Sequence, residues 1–481
     1  MILSVKLLLA INSRRFLAAR LSNPPKVDEK KVRLTPYFLM FWWNLVPNFT
    51  IFHDRKIFFL KGKIMAIIKP FRALRPAPEV ASSVASVPYD VVNTEEAKQL
   101  SEKYPCSFLR ITRSEVELPG IGNVYAPEVY QKAKENLERI KAEAPLLEEE
   151  TPALYIYAIE MNGRIQNGIA ATYSVDDYDN DVILKHEKTR KEKEDDRTNH
   201  IITTRAQTGP VFLTYRGVQV VNEIVAKVKQ EQKPVYDFTA EDGIRHSVWV
   251  VPTGLEQGII DAIGGVEHLY IADGHHRAKS ASRAREEMKK QNPQHTGNEE
   301  YNYFIGVLFP AEELYIMPYN RVVKDLNGLT TEGFLAKVQE FFVIEKSAEK
   351  EPASTKTFGM YFGNEWYKLT LKSVFLDGDK IKGTTTVGES LDVSILQNYL
   401  LQPILGIEDP RTDKRIDFVG GIRGTQELEK LVGGGSYAVA FSLYPVTLQD
   451  LMNISDAGEI MPPKSTWFEP KLRDGLLVHC I

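Results

Sequence analysis

The chain has 481 residues, of which 43% are hydrophobic, 26% charged and 10% aromatic. This length predicts more than one compact core, and the composition excludes a mostly disordered, fibrous or membrane-embedded protein. The net charge of −4 is unevenly distributed, because residues 1–64 hold 12 basic residues against three acidic ones, a charge of +9. Residues 65–481 hold 48 basic and 61 acidic residues, and this charge of −13 argues against a dedicated nucleic-acid binder.

The first 64 residues differ in character from the rest of the chain. The apolar run Leu7–Ile11 is too short for the core of a secretory signal, and Tyr37–Phe52 is too short and too interrupted for a membrane span. The opening residues have the composition of a mitochondrial presequence, but the aromatic stretch after them does not fit one. We interpret residues 1–64 as a non-native or disordered extension, with translation beginning at Met65; a targeting segment is the alternative.

From Met65 onward, strand and helix patterns alternate, which predicts a mixed α/β (α+β) fold. Asn162-Gly163 between two apolar runs predicts a tight hairpin turn, because both residues tolerate positive φ angles. Thr94 is expected to cap the helix that starts there. The predicted elements in chain order are strand Ile67–Leu74, helix Thr94–Tyr104, helix Ala126–Ala142, the hairpin strands Leu154–Met161 and Gly168–Tyr173, helix Lys188–Ala206, strand Val211–Tyr215, helix Val220–Gln230, strand Ser247–Pro252, strand His268–Ala272, helix His275–Lys290, strands Tyr303–Pro310, Leu314–Arg321, Thr357–Met360 and Tyr367–Leu371, and helix Val393–Leu401.

These elements group into a predicted domain organisation. We expect residues 65–325 to form the main α/β domain, which contains the clearest strand-to-helix transition. Residues 326–430 are expected to form an additional, smaller α+β lobe. Residues 431–481 return strands and loops to the main domain in this interpretation, and no internal repeat stands out along the chain.

Several familiar sequence signatures are absent. Cys106 and Cys480 are the two cysteines and lie far apart, which excludes a disulfide framework or a cysteine-rich zinc site and favours a cytoplasmic location. The sequence has no G-x-x-x-x-G-K-S/T loop and no G-x-G-x-x-G after a strand. It also lacks the G-x-S-x-G elbow, the H-E-x-x-H zinc helix and the kinase H-R-D set. Function must therefore be inferred from polar clusters in apolar surroundings.

The clearest cluster is Asp273-Gly274-His275-His276-Arg277, where an apolar strand runs into a helix. The free backbone N–H groups and the positive dipole end of such a helix form an anion site, to which Arg277 can add a bidentate grip on phosphate. Gly274 lets the backbone approach a ligand closely. The alternative is an ordinary helix start capped by Asp273. We favour a phosphate-binding turn, because two histidines and an arginine are uncommon beside a simple cap.

A second cluster, Lys185–Thr189, follows the apolar strand end Val182–Leu184. A carboxylate beside a lysine at such a junction suits a catalytic base, or a metal ligand with a phosphate contact. The charged run that follows, Arg190–Asp196, is typical of a solvated helix face. The same solvated face is the alternative interpretation for Glu187 and Lys188, although it accounts less well for residues at a strand end.

Two further clusters are weaker signals. In Ser86–Val91, a turn fixed by proline is expected to present Tyr89 and Asp90. In Met461–Lys471, paired prolines stiffen a loop that is expected to display Lys464, Ser465 and Thr466, and loops held on rigid scaffolds often carry binding groups. For both segments, a packed structural turn without a binding role is the alternative.

Together these clusters resemble the bacterial and archaeal family known as domain of unknown function ten-fifteen. The resemblance extends from Met65 almost to the C-terminus, and members of that family begin near the position of Met65. Asn320 departs from the pattern, in which histidine is expected at this position, so a role for Asn320 is not implied. The motifs that carry the resemblance are Ile67–Pro76, Pro88–Val91, His186–Thr189, Ala272–Arg277, Met317–Arg321 and Met461–Phe468.

The turn Asp273–Arg277 is also similar to the phosphate-binding helix start of the ParB and sulfiredoxin superfamily. That superfamily includes free-serine kinases with a similar Asp-Gly-His-His-Arg, and this second resemblance covers a minor part of the chain. It implies a ParB/sulfiredoxin-like mixed α/β core with the additional smaller lobe beside it. By this likeness we expect a kinase of free L-serine or a similar hydroxyl metabolite, with a link to serine metabolism.

The reaction expected from these resemblances is phosphoryl transfer from ATP or ADP, with Mg²⁺ bridging phosphate oxygens. Glu187 or Asp90 would orient the substrate hydroxyl. The expected catalytic residues are Glu187, Asp90 and His276. The residues expected to bind the nucleotide and neutralise its charge are Asp273, Gly274, His275, Arg277, Lys188, Thr189, Lys464 and Ser465.

Other functions are compatible with the same clusters. A phosphoserine-type phosphatase would use the same cradle, with water in place of the hydroxyl acceptor. A nucleotide-binding regulatory protein would use it without turnover. ParB-like DNA binding is disfavoured by the acidic body. The expected partners are a small-molecule substrate and a nucleotide, without nucleic acid or membrane, and the oligomeric state is not predicted.

Overall fold

A computed structural model of the chain describes residues 50–53, 56–59, 66–378 and 380–481. The chain divides into two compact units, Met1–Lys63 and Ile64–Ile481. In the first unit, strands β1 (Thr50–His53) and β2 (Lys56–Phe59) pair as an antiparallel hairpin. The rest of the predicted N-terminal extension, with Met65, lies outside the described residues, and its interpretation stays a prediction.

The second unit contains both strands and helices along its whole length. Its strands in chain order are β3 (Ile68–Lys69), β4 (Ala73–Pro76), β5 (Leu146–Glu148), β6 (Tyr155–Met161), β7 (Arg164–Ser174), β8 (Ile183–Leu184), β9 (Ala206–Gln207), β10 (Val211–Tyr215), β11 (Tyr236–Thr239), β12 (Arg245–Val250), β13 (Leu269–Asp273), β14 (Tyr303–Pro310), β15 (Ile316–Met317), β16 (Tyr319–Val323), β17 (Phe342–Lys346), β18 (Thr357–Phe362), β19 (Glu365–Leu371), β20 (Leu376–Asp377), β21 (Lys380–Ile381), β22 (Ile416–Gly420), β23 (Val439–Leu443), β24 (Trp467–Phe468) and β25 (Val478–Cys480). Its helices are α1 (Ala81–Val84), α2 (Thr94–Lys103), α3 (Leu109–Thr112), α4 (Pro127–Glu143), α5 (Val175–Asp179), α6 (Lys191–Thr204), α7 (Gln219–Glu231), α8 (Thr253–Gly264), α9 (His275–Gln291), α10 (Thr331–Phe341), α11 (Asp392–Leu396), α12 (Gly424–Gly433) and α13 (Leu448–Asp456).

A nine-stranded mixed sheet forms the centre of the second unit. Its strand order is β11-β12-β6-β7-β14-β10-β13-β8, and β3 pairs with β7 beside this path. The pairs β10–β14 and β13–β8 are parallel, and the other neighbours are antiparallel. This mixture of strand directions with helices between them agrees with the predicted α+β class.

The other sheets of the second unit are antiparallel. The largest has six strands in the order β17-β19-β18-β23-β16-β22. A four-stranded sheet in the order β5-β4-β25-β9 brings the end of the chain back beside its beginning, and β15–β24 and β20–β21 form two short pairs. The six-stranded sheet takes β16 and β23 from outside residues 326–430, and the predicted division into a main domain and a smaller lobe stays a prediction.

The main sheet is buried on both faces. On β6, Tyr155 and Tyr157 pack into one apolar core, whereas Ile156 and Ala158 pack into another on the opposite face. Helices α7, α8 and α9 cover the second core. The first core continues into the six-stranded sheet. Because successive side chains of a strand point to opposite faces, a strand buried on both sides has apolar residues at successive positions, as β6 has from Tyr155 to Ile159.

Local signals in the sequence predict some turns and caps correctly and others not. Asn162 and Gly163 have φ angles of 53° and 77° and join β6 to β7, which confirms the predicted hairpin. The expectation that Thr94 caps helix α2 is wrong. Asn93 is the cap, and its side chain accepts a hydrogen bond from the backbone N–H of Glu96 while the Glu96 side chain accepts one from the Asn93 backbone. No helix among the described residues has the length and apolar character needed to cross a bilayer.

Candidate functional site

The turn between β13 and α9 leaves the start of the helix without a cap. Gly274 is the N-cap residue, and it makes no side-chain capping hydrogen bond. The first regular helix bond runs from the backbone N–H of Ala278 to the Gly274 carbonyl, at 3.1 Å. The backbone N–H groups of the preceding helix residues are therefore available to an external acceptor, as an anion site requires. This observation rejects the alternative in which Asp273 is an ordinary cap.

Asp273 pairs with cations instead of capping the helix. Its carboxylate lies 3.1 Å from the Arg277 guanidinium and 3.5 Å from the Lys471 ammonium. Burial raises the pKa of Asp273, but the positive charges of Lys471 and Arg277 outweigh burial and hold that pKa well below its usual range. The carboxyl is therefore ionised throughout the physiological pH range. It stabilises the turn through its ion pairs with Arg277 and Lys471.

Glycine is required at position 274 for two reasons. Its φ angle is 95°, in the left-handed region that side chains rarely adopt. A Cβ atom built on Gly274 would also lie 2.8 Å from Nε of Arg277, closer than the two groups can approach. The turn therefore depends on the close packing of the Arg277 guanidinium against the glycine backbone.

Arg277 itself is turned into the protein. The residue is 8% exposed, and its guanidinium donates to the carbonyl of Pro210 and to the carboxylate of Asp273. Its Nε has no hydrogen-bond partner among the described residues. Arg277 therefore stabilises the turn through its bonds to Pro210 and Asp273. The expectation that its guanidinium binds phosphate directly stays a prediction.

His275 and His186 form a buried pair that joins the first two polar clusters. Their ring centroids are 4.4 Å apart with an interplanar angle of 83°. The backbone N–H of His186 lies 3.4 Å from Nε2 of His275 and donates to it. Burial lowers the pKa of His186 to about 4, and burial together with His186 lowers the pKa of His275 well below its ordinary value. Both rings are therefore neutral near pH 7.

His276 contacts the second cluster on the other side of the turn. Its Nε2 accepts a hydrogen bond of 3.0 Å from the backbone N–H of Arg190. Burial and the neighbouring charge of Arg190 lower the pKa of His276. The imidazole is held neutral with Nε2 already occupied as an acceptor, so its Nδ1 is the protonated nitrogen of this tautomer.

Glu187 lies beside the turn with its side chain 53% exposed, and a carboxylate oxygen is 3.8 Å from Nδ1 of His275. Desolvation at the edge of the site, followed by the negative charge of Asp273, raises the pKa of Glu187. Lys464 opposes this shift, which places the fourth cluster near the same carboxyl. A carboxyl that is accessible and has a raised pKa has the properties of a general base.

Asp90 brings the third cluster into the same region. It is exposed, and its negative charge contributes to the raised pKa values of Arg277 and Glu187 and partly opposes the lowering of the pKa of His276. The preceding Tyr89 is buried, with the guanidinium of Arg197 4.2 Å from its ring centroid. Tyr89 thus fixes the turn, and Asp90 is the residue that it presents to the site.

The loop that begins at Met461 packs against the second cluster. The backbone N–H of Met461 donates to the carbonyl of His186, at 2.8 Å. Lys464 is exposed, and its ammonium lies 3.3 Å from the hydroxyl of Tyr319. Ser465 is buried, and its hydroxyl donates to the carbonyl of Pro462 at 2.6 Å. The structure therefore presents Lys464 to the site and uses Ser465 to hold the loop.

Two other predicted residues have different surroundings. The hydroxyl of Thr189 donates to the carboxylate of Glu194 at 2.5 Å, within the start of the charged helix region. Lys188 is exposed and forms no ion pair within the part of the chain that the structure describes. Their roles in binding a nucleotide stay predictions, and Lys188 has the freer side chain of the two.

The site residues expected from the sequence do not include Lys471 and Asp474, although Lys471 pairs with Asp273 and Asp474 lies beside Arg277. Asp474 is 1% exposed and, with Arg277, Arg197 and Thr208, lines a cavity of about 30 Å³ behind the turn. Its backbone pairs with that of Ser86, next to the third cluster. The available signal was three charged residues, Lys471, Arg473 and Asp474, directly before the apolar residues Leu476–Val478.

Asn320 has a structural role. Its side chain is 2% exposed, and its Oδ1 accepts a hydrogen bond of 3.2 Å from the backbone N–H of Leu443. Asn320 therefore joins β16 to β23 within the six-stranded sheet. A buried amide whose oxygen bonds to the neighbouring strand does not need to take part in ligand binding.

The described residues contain no group of three or more His, Cys, Asp or Glu side chains that could hold a metal ion. Mg²⁺ does not require such a group, because it is commonly bound by one or two carboxylates together with substrate phosphates and water. Glu187 and Asp90 are accessible carboxylates beside the uncapped turn. The residues present thus fit a Mg²⁺ ion that arrives with a nucleotide.

The chain matches one family model by sequence, over residues 68–394, and that family is described as a protein of unknown function, DUF1015. No curated protein matches the sequence. The matched range contains three of the four polar clusters, and the Met461–Lys471 loop follows it.

Three solved structures are similar to part of this chain. A variant of a free serine kinase in complex with AMP is 11% identical, with a TM-score of 0.32 over 64% of this chain and 91% of that chain. A conserved hypothetical protein from Pyrococcus furiosus is 13% identical, with a TM-score of 0.30 over 65% and 95%. SbnI with a C-terminal truncation, from Staphylococcus aureus, is 13% identical, with a TM-score of 0.34 over 65% and 87%. Likeness at this level carries no argument about what the present chain binds or does.

Proposed function

This chain belongs to the family of proteins of unknown function DUF1015, and we propose that it is a small-molecule phosphotransferase. In this proposal it is a nucleotide-dependent kinase of free L-serine or a similar hydroxyl metabolite. The choice of substrate rests on the resemblance of the Asp-Gly-His-His-Arg motif at Asp273–Arg277 to that of free-serine kinases. The same resemblance underlies our proposal of a ParB/sulfiredoxin-like core.

The observation that carries the proposal is the uncapped start of α9 beside accessible groups of both charges. The free N–H groups after Gly274 suit phosphate oxygens, and Gly274 has no side chain that would compete for them. Glu187 lies beside this turn, and the charges of Asp90 and Lys464 act on its pKa in opposite directions. A phosphate site next to a carboxylate and an exposed cation is the arrangement that phosphoryl transfer needs.

Glu187 is the residue that we assign to the acceptor hydroxyl. Its carboxylate is accessible, and its raised pKa makes it a better proton acceptor than an ordinary glutamate. Asp90 is the second carboxylate near the site. The buried, neutral His275 fixes one wall of the site next to Glu187 without adding a charge that would lower the pKa of Glu187.

The cations of the site have separate roles in this proposal. Lys464 and Lys188 are exposed and can neutralise charge that develops on the transferred phosphoryl group. Arg277 and Lys471 hold Asp273 and thereby the shape of the turn. Bound Mg²⁺ would supply further charge neutralisation, and Glu187 and Asp90 are the residues that could hold it together with the nucleotide.

The test is a direct assay of the full chain with L-serine, Mg²⁺ and either ATP or ADP, in which phosphoserine is measured. We expect phosphoserine to form with one of the two nucleotides. Glu187→Gln should lower kcat by about 10²- to 10⁴-fold, the usual contribution of a general base. Activity should rise with pH as Glu187 loses its proton, with a midpoint above that of an ordinary glutamate because its pKa is raised.

Matched controls distinguish the proposed base from a general loss of structure. Glu192→Gln makes the same change at an exposed residue of α6 and should leave kcat unchanged. Release of phosphate from phosphoserine without a nucleotide would instead indicate a phosphatase. Nucleotide binding without phosphoserine formation under either donor would indicate a regulatory protein, and either result overturns the kinase proposal.

A further inference from the structure

Lys464 has a backbone conformation that a lysine rarely adopts. Its φ angle is 55°, in the left-handed region, where a side chain strains the backbone and glycine is the usual residue. Pro463 precedes it, and the hydroxyl of Ser465 donates to the carbonyl of Pro462 across the same turn, at 2.6 Å. Strained residues persist only where their surroundings hold them, and they concentrate at functional sites.

Arg321 on strand β16 holds this strained residue through its backbone. The guanidinium donates to the carbonyl of Lys464 at 3.0 Å, and it also donates to the carbonyl of Tyr319. Arg321 is 3% exposed, and its guanidinium lies 5.4 Å from the ring centroid of Phe418. Because a guanidinium is planar and its N–H groups have fixed directions, these two bonds tie the loop to β16 in one geometry.

The side chain of Lys464 lies against Tyr319, which Arg321 also contacts. The ammonium is 3.3 Å from the Tyr319 hydroxyl and 5.1 Å from its ring centroid. The ring of Tyr319 is supported by Trp467, with centroids 5.1 Å apart and an interplanar angle of 82°. Lys464 is nevertheless exposed, and an ammonium has three N–H groups, of which the tyrosine accepts one. The other N–H groups are therefore accessible to a ligand.

The loop keeps this ammonium near the proposed base. The backbone N–H of Met461 donates to the carbonyl of His186 at 2.8 Å, so the loop begins beside the residue that precedes Glu187. Burial and the charge of Asp273 raise the pKa of Glu187, and the charge of Lys464 opposes them. Lys464 and Glu187 therefore lie in the same region of the site.

The two cations at this loop differ from those at the turn in their charge compensation. Asp273 forms ion pairs with Arg277 and Lys471. Within the described chain, Arg321 and Lys464 contact carbonyl, hydroxyl and ring groups without an ion pair. Burial lowers the pKa of Arg321 to about 9, so its guanidinium is still charged near pH 7. A negative group bound at Lys464 would offset both charges without touching the buried guanidinium.

We propose that Arg321 is a positioning residue, which holds Lys464 in its left-handed conformation so that the ammonium binds an oxyanion of the ligand beside Glu187. The ligand contacts Lys464, and Arg321 acts mainly through the Lys464 backbone. This inference rests on the proposed function for the location of the site. The oxyanion is either a phosphate of the nucleotide or the carboxylate of the acceptor, and separate probes distinguish the two sources.

Lys464→Gly separates anion binding from the structure of the loop. Glycine adopts the observed φ angle without strain and keeps the carbonyl that Arg321 bonds, so the Tm of the full chain should not fall. In calorimetric titrations with pyrophosphate and with L-serine, the variant should bind at least one of them about tenfold more weakly, the loss of a charged hydrogen bond. Weaker pyrophosphate assigns Lys464 to phosphate, and weaker L-serine assigns it to the acceptor carboxylate.

Lys356→Gly is the matched control for this variant. It makes the same change at another lysine with a positive φ angle, 64°, in the turn before β18. Both anion affinities should match those of the unmodified chain. A loss of affinity in Lys356→Gly equal to that in Lys464→Gly would show that the effect does not come from the site.

Arg321→Met tests the positioning role. Lys464→Gly and Arg321→Met should both raise the pKa of Glu187, measured by NMR titration of its carboxyl carbon, because the ammonium is removed or released from its place. Arg321→Met should weaken the anion about fivefold in the unmodified chain and have little further effect in Lys464→Gly. Two residues that act through one another are non-additive in this way.

Three results would overturn the inference. One is that the unmodified chain binds neither pyrophosphate nor L-serine at millimolar concentration. Another is unchanged affinity for both probes in Lys464→Gly. The third is an equal effect of Arg321→Met with and without the Lys464 side chain, which would mean that Arg321 acts independently of it. If the binding results are as expected and no phosphoserine forms with either nucleotide, the proposed kinase activity fails and the oxyanion site stands.

Discussion

Asp474 is a carboxyl whose surroundings oppose its ionisation. Burial, with a smaller contribution from the charge of Asp90, raises its pKa to about 7, although Arg277 and Arg197 act in the opposite direction. One of its oxygens has no hydrogen-bond partner among the described residues. The residue lies behind the turn that holds Asp273, so its protonation state changes the charge that Arg277 experiences.

We expect Asp474→Asn to stabilise the protein at high pH. The folded pKa of about 7 lies above the value near 3.9 of an unfolded aspartate, so the native state binds the extra proton between these values. The free energy of unfolding of the unmodified chain therefore falls as pH rises from about 4 to 7, and the penalty is complete above that. Asp474→Asn should be more stable by roughly 2–4 kcal/mol at pH 8, with the difference shrinking toward pH 4.

Urea denaturation at several pH values measures this difference. Asp377→Asn, at an exposed aspartate, is the control and should change the free energy of unfolding little at any pH. If Asp474→Asn were instead less stable at pH 8 than at pH 5, relative to the unmodified chain, the ionised carboxylate would be the form that the fold favours.

At the scale of single residues, the sequence showed which polar side chains belong to the turn, but it did not show which residues they pair with. Asp273 was recognisable as part of a polar turn, yet whether it caps the helix or pairs with cations depended on Lys471, which lies almost two hundred residues away. Asp474 carried no local motif. Its importance comes from burial, which a single sequence does not show.

The turn between β13 and α9 is the element on which the proposed function depends most. We expect Gly274→Ala to destabilise the protein by roughly 1–3 kcal/mol. The alanine backbone would be held at a left-handed φ angle, and its Cβ would press on the Arg277 guanidinium. Nucleotide affinity should fall as well, since the N–H groups of the turn would shift. Urea denaturation and titration with ATP and ADP measure the two effects.

Gly243→Ala separates backbone strain from the loss of the site. Gly243 has a φ of 80°, but a Cβ there would meet open space. This variant should therefore lose stability through strain alone and keep its nucleotide affinity. Equal loss of affinity in the two variants would show that the turn at Gly274 has no special role in binding.

Element types and several bounds were predictable from local patterns. The helix expected over His275–Lys290 is observed as His275–Gln291, because the apolar strand, the glycine and the helical run are all local signals. The capping residue of α2 was misplaced by one position, since Asn93 and Thr94 are both good capping residues and the choice between them depends on Glu96.

At the scale of the whole molecule, we expect a chain that begins at Met65 to keep the fold and activity of the second unit. The chain divides into two compact units, and the first differs from the second in charge and composition. The Tm of the shortened chain and its rate of phosphoserine formation should match those of the full chain. A Tm lower by several degrees would show that residues 1–64 contribute to the stability of the second unit.

The sequence by itself determined the α+β class, the strand–glycine–helix turn at Gly274 and the residue types available for phosphate chemistry, because these follow from short-range patterns and backbone preferences. The tertiary structure alone decided which groups meet. It placed Met461 against His186, Lys471 against Asp273, and Asp474 behind Arg277. These contacts join segments far apart in the chain, and they depend on how two sheets share a buried core, which local signals do not specify.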